Sequence, residues 1–240
     1  MKLDDVKKLQ QKKYREEFGY FLVEGEHLVL ELQKAAEKKP ALKRSEIYVT
    51  EVFADWQTDF KKNPVTDKQM ATISDTKTPQ GIIAVVPFLP AATTVAPNER
   101  AIYLHEVQDP GNLGTIVRTL AWFGNFRLLL SPNSVDPYNP KVVRSSMGAI
   151  FHLPIELDVP LTETNKRFKK IACLDMHGDK LSDASFKDFD CYLFGNEARG
   201  LPHDLLTEMC VHSFSIPGAG EIDSLNLASA VNMCAYELIR

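Results

Sequence analysis

The sequence predicts an α/β protein in two parts: a small N-terminal α/β unit, then a mostly parallel sheet with helices on both faces. Two observations predict this. From about residue 101, short apolar runs alternate with helical stretches, the pattern of parallel strands joined by crossover helices. Between the parts, Pro87-Phe-Leu-Pro-Ala-Ala-Thr-Thr-Val-Ala-Pro97 is rich in proline and small residues and lacks a period, as an extended linker would be. The expected division is therefore a first domain over 1–90, a linker over 91–97 and a second domain over 98–240.

In chain order, residues 2–18 read as one charged helix and Phe21-Leu-Val as a short strand. Glu24-Gly-Glu-His leads into a helix whose Leu28, Val29, Leu32 and Ala35 share one face by their spacing. Ile47-Tyr-Val-Thr50 reads as a strand, followed by a short helix near 51–61. Pro64-Val-Thr, Met70-Ala-Thr-Ile and Gly81-Ile-Ile-Ala-Val-Val86 read as strand-like. Beyond the linker, Ala101-Ile-Tyr-Leu-His-Glu-Val107 is a strand. A helix then carries Leu113, Ile116, Val117, Leu120 and Phe123 on one face and ends at Gly124. Phe126-Arg-Leu-Leu-Leu130 is the next strand, with further strands expected at 150–156, 170–174, 190–195 and 211–216. The last helix, about 224–239, buries Leu227, Ala228, Val231, Ala235 and Leu238.

Composition bounds the function. The chain has 240 residues, 44% hydrophobic and 25% charged, enough for one large domain or two ordinary ones. No apolar run reaches the roughly 18 residues of a membrane span. Met1-Lys-Leu-Asp-Asp-Val-Lys-Lys has no secretory apolar core, so a cytoplasmic protein is expected. Cys173, Cys191, Cys210 and Cys234 show no Cys-x-x-Cys spacing and read as free thiols, and the histidines lack metal-ligand spacing; no metal is expected. A net charge of −4 argues weakly against a protein that coats nucleic acid, but a local basic surface is sufficient for RNA. Lys7, Lys8, Lys12, Lys13 and Arg15 offer such a surface, and a solvated helix face explains them equally well.

Three segments place glycines and polar side chains where apolar runs end, the ligand-binding position of open α/β sheets. In Asp109-Pro-Gly-Asn-Leu-Gly-Thr-Ile-Val-Arg118, Asp109 or Asn112 can cap the following helix. Arg118, six residues past Asn112, falls off the apolar stripe with its guanidinium free. Such a fork suits a phosphate, and a capped helix with an exposed arginine fits the segment as well. In Leu193-Phe-Gly-Asn-Glu-Ala-Arg-Gly200, Gly195 permits close backbone approach, and a structural turn accounts for the same residues. In Ile216-Pro-Gly-Ala-Gly-Glu-Ile-Asp-Ser-Leu-Asn226, Ser224 is a good N-cap and Asn226 is expected in the first helical turn. That loop could hold a small molecule or merely cap its helix. The dinucleotide Gly-x-Gly-x-x-Gly, the Walker loop and the Gly-x-Ser-x-Gly elbow are absent, which lowers oxidoreductase, NTPase and hydrolase readings.

Taken in this order, the three segments resemble the motifs of the SpoU (TrmH-like) family of RNA ribose 2′-O-methyltransferases, within the SPOUT superfamily. The likeness covers nearly the whole chain. Lys12-Lys-Tyr-Arg15, Phe21-Leu-Val-Glu-Gly25 and Thr76-Lys-Thr-Pro-Gln-Gly-Ile-Ile-Ala84 resemble the small substrate-binding domain of many members, implying an L30e-like fold. Asn139-Pro-Lys-Val-Val-Arg-Ser-Ser-Met-Gly148 is similar to the family's middle segment. The resemblance also implies a deep trefoil knot, S-adenosyl-L-methionine as cofactor, and a homodimer with active sites at its interface. It places the cofactor at Phe194, Gly195, Ile216 and Leu225, and the polar catalytic set at Asn112, Arg118, Glu197, Ser224 and Asn226. Lys12, Lys13, Arg15 and Arg144 are the expected RNA contacts. Two positions depart from the pattern, Gly218 where methionine is usual and Leu120 where alanine is usual; both bear on loop shape more than chemistry. Ribosomal RNA is the favoured substrate, with tRNA second. A noncatalytic RNA-binding or assembly factor on the same scaffold, and a base methyltransferase of the same superfamily, are the competing readings.

Overall fold

The computed structural model describes residues 1–89, 96, 98–219 and 224–240; 91–95 and 97 of the expected linker, and Gly220 to Asp223 of the third motif, lie outside the described residues. Two compact units emerge: Met1–Pro90 with Asp136–His152, and Ala91–Val135 with Leu153–Arg240. The first unit thus also takes in a segment that the sequence reading gives to the second domain.

The first unit opens with α1 (Leu3–Lys8) and α2 (Lys12–Phe18), where a single helix is expected. The break lies at Gln11, which is extended, next to Gln10, whose amide donates to the carbonyls of Ile73 and Ser74. That tertiary tie outweighs helix continuity. Strand β1 (Tyr20–Glu24) follows, then α3 (Glu26–Lys38), which buries the expected face of Leu28, Val29, Leu32 and Ala35. Strands β2 (Glu46–Val49) and β3 (Lys61–Pro64), helix α4 (Asp67–Ile73) and strand β4 (Ile82–Pro87) complete this stretch.

Two expectations here need correction. The short helix near 51–61 is only a 3-10 turn over Glu51–Phe53. Met70-Ala-Thr-Ile is helical, because Thr66 and Gln69 form a reciprocal capping box that starts α4. The sheet order is β1-β4-β2-β3, with β4 central and buried along its length. Against one face pack Val6, Leu9, Met70 and Ile73, covering Leu22, Tyr48, Ile83 and Val85. Fully burying side chains of this size stabilises by about 1.5–3 kcal/mol each.

The second unit begins with β5 (Arg100–Leu104), α5 (Pro110–Phe123) and β6 (Phe126–Leu130). The chain then contributes α6 (Pro140–Ser146) to the first unit, where Tyr138 stacks on Phe88 with ring centroids 4.3 Å apart. It returns through β7 (Ile155–Glu156), α7 (Leu161–Arg167), β8 (Ile171–Lys180), β9 (Cys191–Phe194), α8 (His203–Glu208), β10 (His212–Ser215) and α9 (Leu227–Ile239). The strand expected over 150–156 is a 3-10 turn at Ala149–Phe151 and a two-residue strand.

All neighbouring strands of this six-stranded sheet run parallel, in the order β10-β8-β9-β5-β6-β7. Ala101, Tyr103, Cys173, Cys191 and Leu193 share one face, covered by Leu161 of α7 and Leu206 of α8. The alternate residues Ile102, Leu104, Leu128 and Tyr192 are equally buried, so both faces are covered, as a parallel sheet requires. From β5 the chain winds outward through β6 and β7, then resumes on the other side of β5. The strand order therefore reverses between β5 and β9, and the crevice past their carboxyl ends is where such sheets hold ligands.

Edge charges are handled by pairing. Arg127, buried in β6, bonds Glu99 and Glu156, and Arg167 reaches the same Glu156. Burial works against ionisation of Glu156, but the hydrogen bonds from Arg167 and Arg127 prevail and hold its carboxyl below the ordinary value.

Candidate active site

Beyond the carboxyl ends of β5 and β9 lies a cleft of about 580 Å³, lined by Gln108, Asp109, Asn112, Asn196, Glu197, Ala198 and Asn226. Its shape follows from local chemistry on three loops. Asp109 is the N-cap of α5, its carboxylate accepting from the Asn112 N–H at 2.7 Å, and Pro110 occupies the first helical position where no N–H is needed. Asn112 is thereby set in the first turn, facing β9.

At the end of β9, Asn196 and Gly200 exchange two backbone hydrogen bonds, 3.1 and 2.9 Å, closing a tight turn around Glu197. Gly195 is required there: a Cβ would lie 2.4 Å from the carbonyl carbon of Gly200. The buried Asn196 side chain accepts from the N–H groups of Ala198 and Arg199 and donates to the Glu106 carbonyl at 2.7 Å. It ties the turn to the loop after β5.

Helix α9 supplies the third wall. Asn226, not Ser224, is its N-cap, with Oδ1 accepting from the Ser229 N–H. This corrects the expected cap by two residues. Both residue types cap well, and a tertiary bond accompanies the choice: Asn226 Nδ2 donates to Asn112 Oδ1 at 2.9 Å. Asn112 Nδ2 in turn donates to Glu197 Oε1 at 3.1 Å. The amide orientations follow from the cap. A backbone N–H can only donate, so Asn226 must turn its oxygen to Ser229 and its nitrogen to Asn112. The row therefore ends on Glu197 as an acceptor.

The structure thus brings Asn112, Glu197 and Asn226 together in one cleft. Arg118 and Ser224 are not among the lining residues. Arg118 sits about 120° around α5 from Asn112; it is exposed and has no hydrogen-bond or ion-pair partner among the described residues. Phe194 and Gly195 lie directly before the lining turn, Ile216 just past β10 and Leu225 just before Asn226, but none of the four lines the cleft. Of the expected RNA contacts, Lys12 and Lys13 are exposed. Arg144 is paired with Asp75, and Arg15 is 2% exposed, bonded to Asp136 and to the Leu9 carbonyl. Arg15 therefore does not present its guanidinium to a ligand, a correction to the expected set.

Sequence reasoning missed Gln108, Asn196 and Ala198 as lining residues and took Asp109 only as a helix cap. For Asn196 a signal existed, since an asparagine between Gly195 and Glu197 can bond its own turn. His105, at the end of β5, has a buried Nδ1 with no partner among the described residues, and burial lowers its pKa, so the ring is neutral at pH 7.

The cleft also fits the expected cofactor. The carboxamides of Gln108, Asn112, Asn196 and Asn226 suit a neutral adenosyl portion, and the Asp109 and Glu197 carboxylates complement a sulfonium charge. Residues 99–236 match the SpoU rRNA methylase family. The chain belongs to that family. Residues 2–84 of this SpoU protein match the MRM3-like substrate-binding domain. It is 31% identical to the 23S rRNA (guanosine(2553)-2′-O)-methyltransferase RlmP of Bacillus subtilis, over 99% of this chain and 95% of that protein. Among solved structures it resembles the AdoMet-bound rRNA methyltransferase of Sinorhizobium meliloti, with 27% identity, a TM-score of 0.80, and coverage of 98% of this chain and 93% of that one. The SpoU methyltransferase AviRb of Streptomyces viridochromogenes, 23% identical with a TM-score of 0.81 over 99% and 96% of the two chains, shares the fold.

Proposed function

We infer that this SpoU enzyme transfers the methyl group of S-adenosylmethionine to a ribose 2′-hydroxyl of ribosomal RNA, with tRNA the second candidate. The observation that carries the reading is the bonded row Asn226–Asn112–Glu197 in a cleft at the switch point of a parallel sheet. When bound, S-adenosylmethionine supplies an electrophilic methyl group on a positively charged sulfur. The chain's own task is to place a ribose hydroxyl in line with it, and such positioning is worth up to about 7–11 kcal/mol. Glu197, kept as an acceptor by Asn112, is placed to hold a hydroxyl or offset positive charge. Phe194, Gly195, Ile216 and Leu225 hold the adenosyl portion, and Ser224 and Asn226 complete the polar wall.

In this reading two copies pair. Trp122 is 84% exposed, and Met233, Tyr236 and Ile239 of α9 are also exposed, an apolar face that calls for a partner. Arg118 shares that face of α5 with Trp122, four residues on, so it reaches the partner's cleft instead of its own. There it grips the phosphate beside the target ribose and stabilises developing alkoxide charge, because a guanidinium does not serve as a base. The C-terminal chain threads a loop to form the family's trefoil knot. The first unit is an L30e-like RNA-binding domain using Lys12 and Lys13, with Arg144 once Asp75 releases it. The first domain is 1–90 together with Asp136–His152, the second is the remainder of 98–240, the 91–97 segment links them, and the protein works in the cytoplasm, where its RNA is.

Radiolabelled methyl transfer to unmodified ribosomal RNA and to tRNA, followed by nucleoside mass spectrometry, tests this reading. A 2′-O-methyl nucleoside from ribosomal RNA is expected, and a base methyl or no product would overturn it. Arg118→Lys should leave calorimetric cofactor affinity within about twofold and lower turnover by at least about tenfold; undiminished turnover would reject the role of Arg118.

A further inference from the structure

The cleft is electrostatically ill suited to RNA as it stands. Among the described residues that line it, Asp109 and Glu197 are acids and none is a lysine or arginine. Arg118 of the same copy faces elsewhere on α5. One guanidinium lies next in sequence to a lining residue: Arg199 follows Ala198, its side chain is 71% exposed, and Nη2 bonds Glu106 Oε2 at 2.6 Å.

We propose that Arg199 is a phosphate-binding residue for the substrate RNA, held in reserve by Glu106 until a phosphate of the substrate displaces the carboxylate. The inference rests on the RNA-methylating reading above and adds a contact to it.

The backbones on both sides of this ion pair are fixed, so the exchange falls to the side chains. Glu106 sits at a φ of +48°, a conformation that non-glycine residues adopt only when their surroundings impose it. Those surroundings are visible: its N–H donates to Ser131 Oγ at 2.7 Å and its carbonyl accepts from Asn196 at 2.7 Å. The Arg199 backbone is held as firmly, its N–H bonded to Asn196 Oδ1 inside the closed 196–200 turn. One residue, Asn196, therefore fixes both ends of the pair. Exchanging Glu106 for a phosphate requires rotation about the Arg199 side chain and no loop movement.

The exchange is also easy in energy. An exposed ion pair is worth little and is screened by salt. A phosphate offers the guanidinium two oxygens in matching geometry. Glu106 sets the threshold, because its charge both competes for Arg199 and repels the incoming phosphate.

The test is filter binding of unmodified, transcribed 23S ribosomal RNA to the full protein over a range of salt, with thermal melting to show that each variant is folded. Arg199→Gln should raise Kd about five- to tenfold and reduce the slope of log Kd against log salt by about one. Glu106→Gln keeps the shape and both backbone bonds, and should lower Kd about threefold. In the Glu106→Gln/Arg199→Gln double variant most of that gain should vanish, because only the relief of repulsion remains and no arginine is left to release. Equal tightening with and without Arg199 would mean that Glu106 acts only as a repelling charge, and would overturn the latch. An unchanged salt slope in Arg199→Gln would overturn the phosphate contact while leaving the enzyme's assignment intact. No RNA binding by the unaltered protein would instead refute the RNA reading of the site, and this inference with it.

Discussion

Gly195→Ala is the sharpest probe of how the cleft is built. The new Cβ would meet the Gly200 carbonyl carbon at 2.4 Å, the Gly200 Cα at 2.7 Å and the Leu201 nitrogen at 2.7 Å. An unstrained carbon–carbon contact needs about 3.5 Å, so the turn must retreat by roughly 1 Å. All three atoms are backbone and cannot swing aside. The retreat breaks the two Asn196–Gly200 hydrogen bonds, at about 1 kcal/mol each, and adds an overpacking strain of about 1–3 kcal/mol. The expected loss is about 3–5 kcal/mol, a fall in Tm of roughly 10 °C. Circular-dichroism melts and urea titrations measure it directly. Gly200→Ala is the internal control. A Cβ there meets nothing within 4 Å, and only its φ of +66° opposes the change, at about 1–2 kcal/mol. A Gly195→Ala protein as stable as the original, or one more stable than Gly200→Ala, would refute the close-approach argument.

Asn226 separates capping from site chemistry. Asn226→Ala should cost about 1 kcal/mol of stability and Asn226→Asp almost none, whereas both lose the donor to Asn112 and should slow methyl transfer about tenfold; full activity in Asn226→Asp would contradict the bonded row. Because Glu156 is held below its usual value of 4.5 when folded, the stability it confers is present above that pH and is lost as pH falls through the depressed value. Glu156→Gln should therefore melt with a flatter acid limb below about pH 4.5, and an unaltered limb would show that the Arg127 cluster contributes nothing there. Cys173, Cys191 and Cys234 are buried, and burial pushes their thiols up, while Cys210 is exposed. A thiol reagent should label one cysteine in the native protein and all four after denaturation; rapid native labelling of a second would contradict this packing.

The parallel sheet was readable because its strands are apolar runs punctuated by glycine, proline and asparagine, and those punctuation points became the cleft. Asn112, Glu197 and Asn226 each stand where a strand has just ended or a helix is about to begin, but it was the resemblance to the SpoU motifs that picked them out as a polar set. What escaped was decided at long range. Nothing local distinguishes Ser224 from Asn226 as a cap; the bond to Asn112, 114 residues earlier, goes with the second. Arg15 looks like its lysine neighbours in sequence, but Asp136, 121 residues away, draws it into the interior. The missed helix α4 is different in kind, because its capping box, Thr66 with Gln69, was present locally in the sequence.

The placement of Asp136–His152 among the N-terminal residues has a consequence for how the protein is made. A nascent chain of 90 residues lacks the counterion of Arg15 and the rings of Tyr138 and Phe151 that lie against Phe21, with centroids 4.7 and 6.5 Å away. Leaving such a buried charge unpaired costs about 3–5 kcal/mol, comparable to much of a small domain's stability. The N-terminal portion can complete its core only after the chain has passed β6 and residues 136–152 have been made, and gene truncations that stop at the proline-rich stretch should yield an insoluble product.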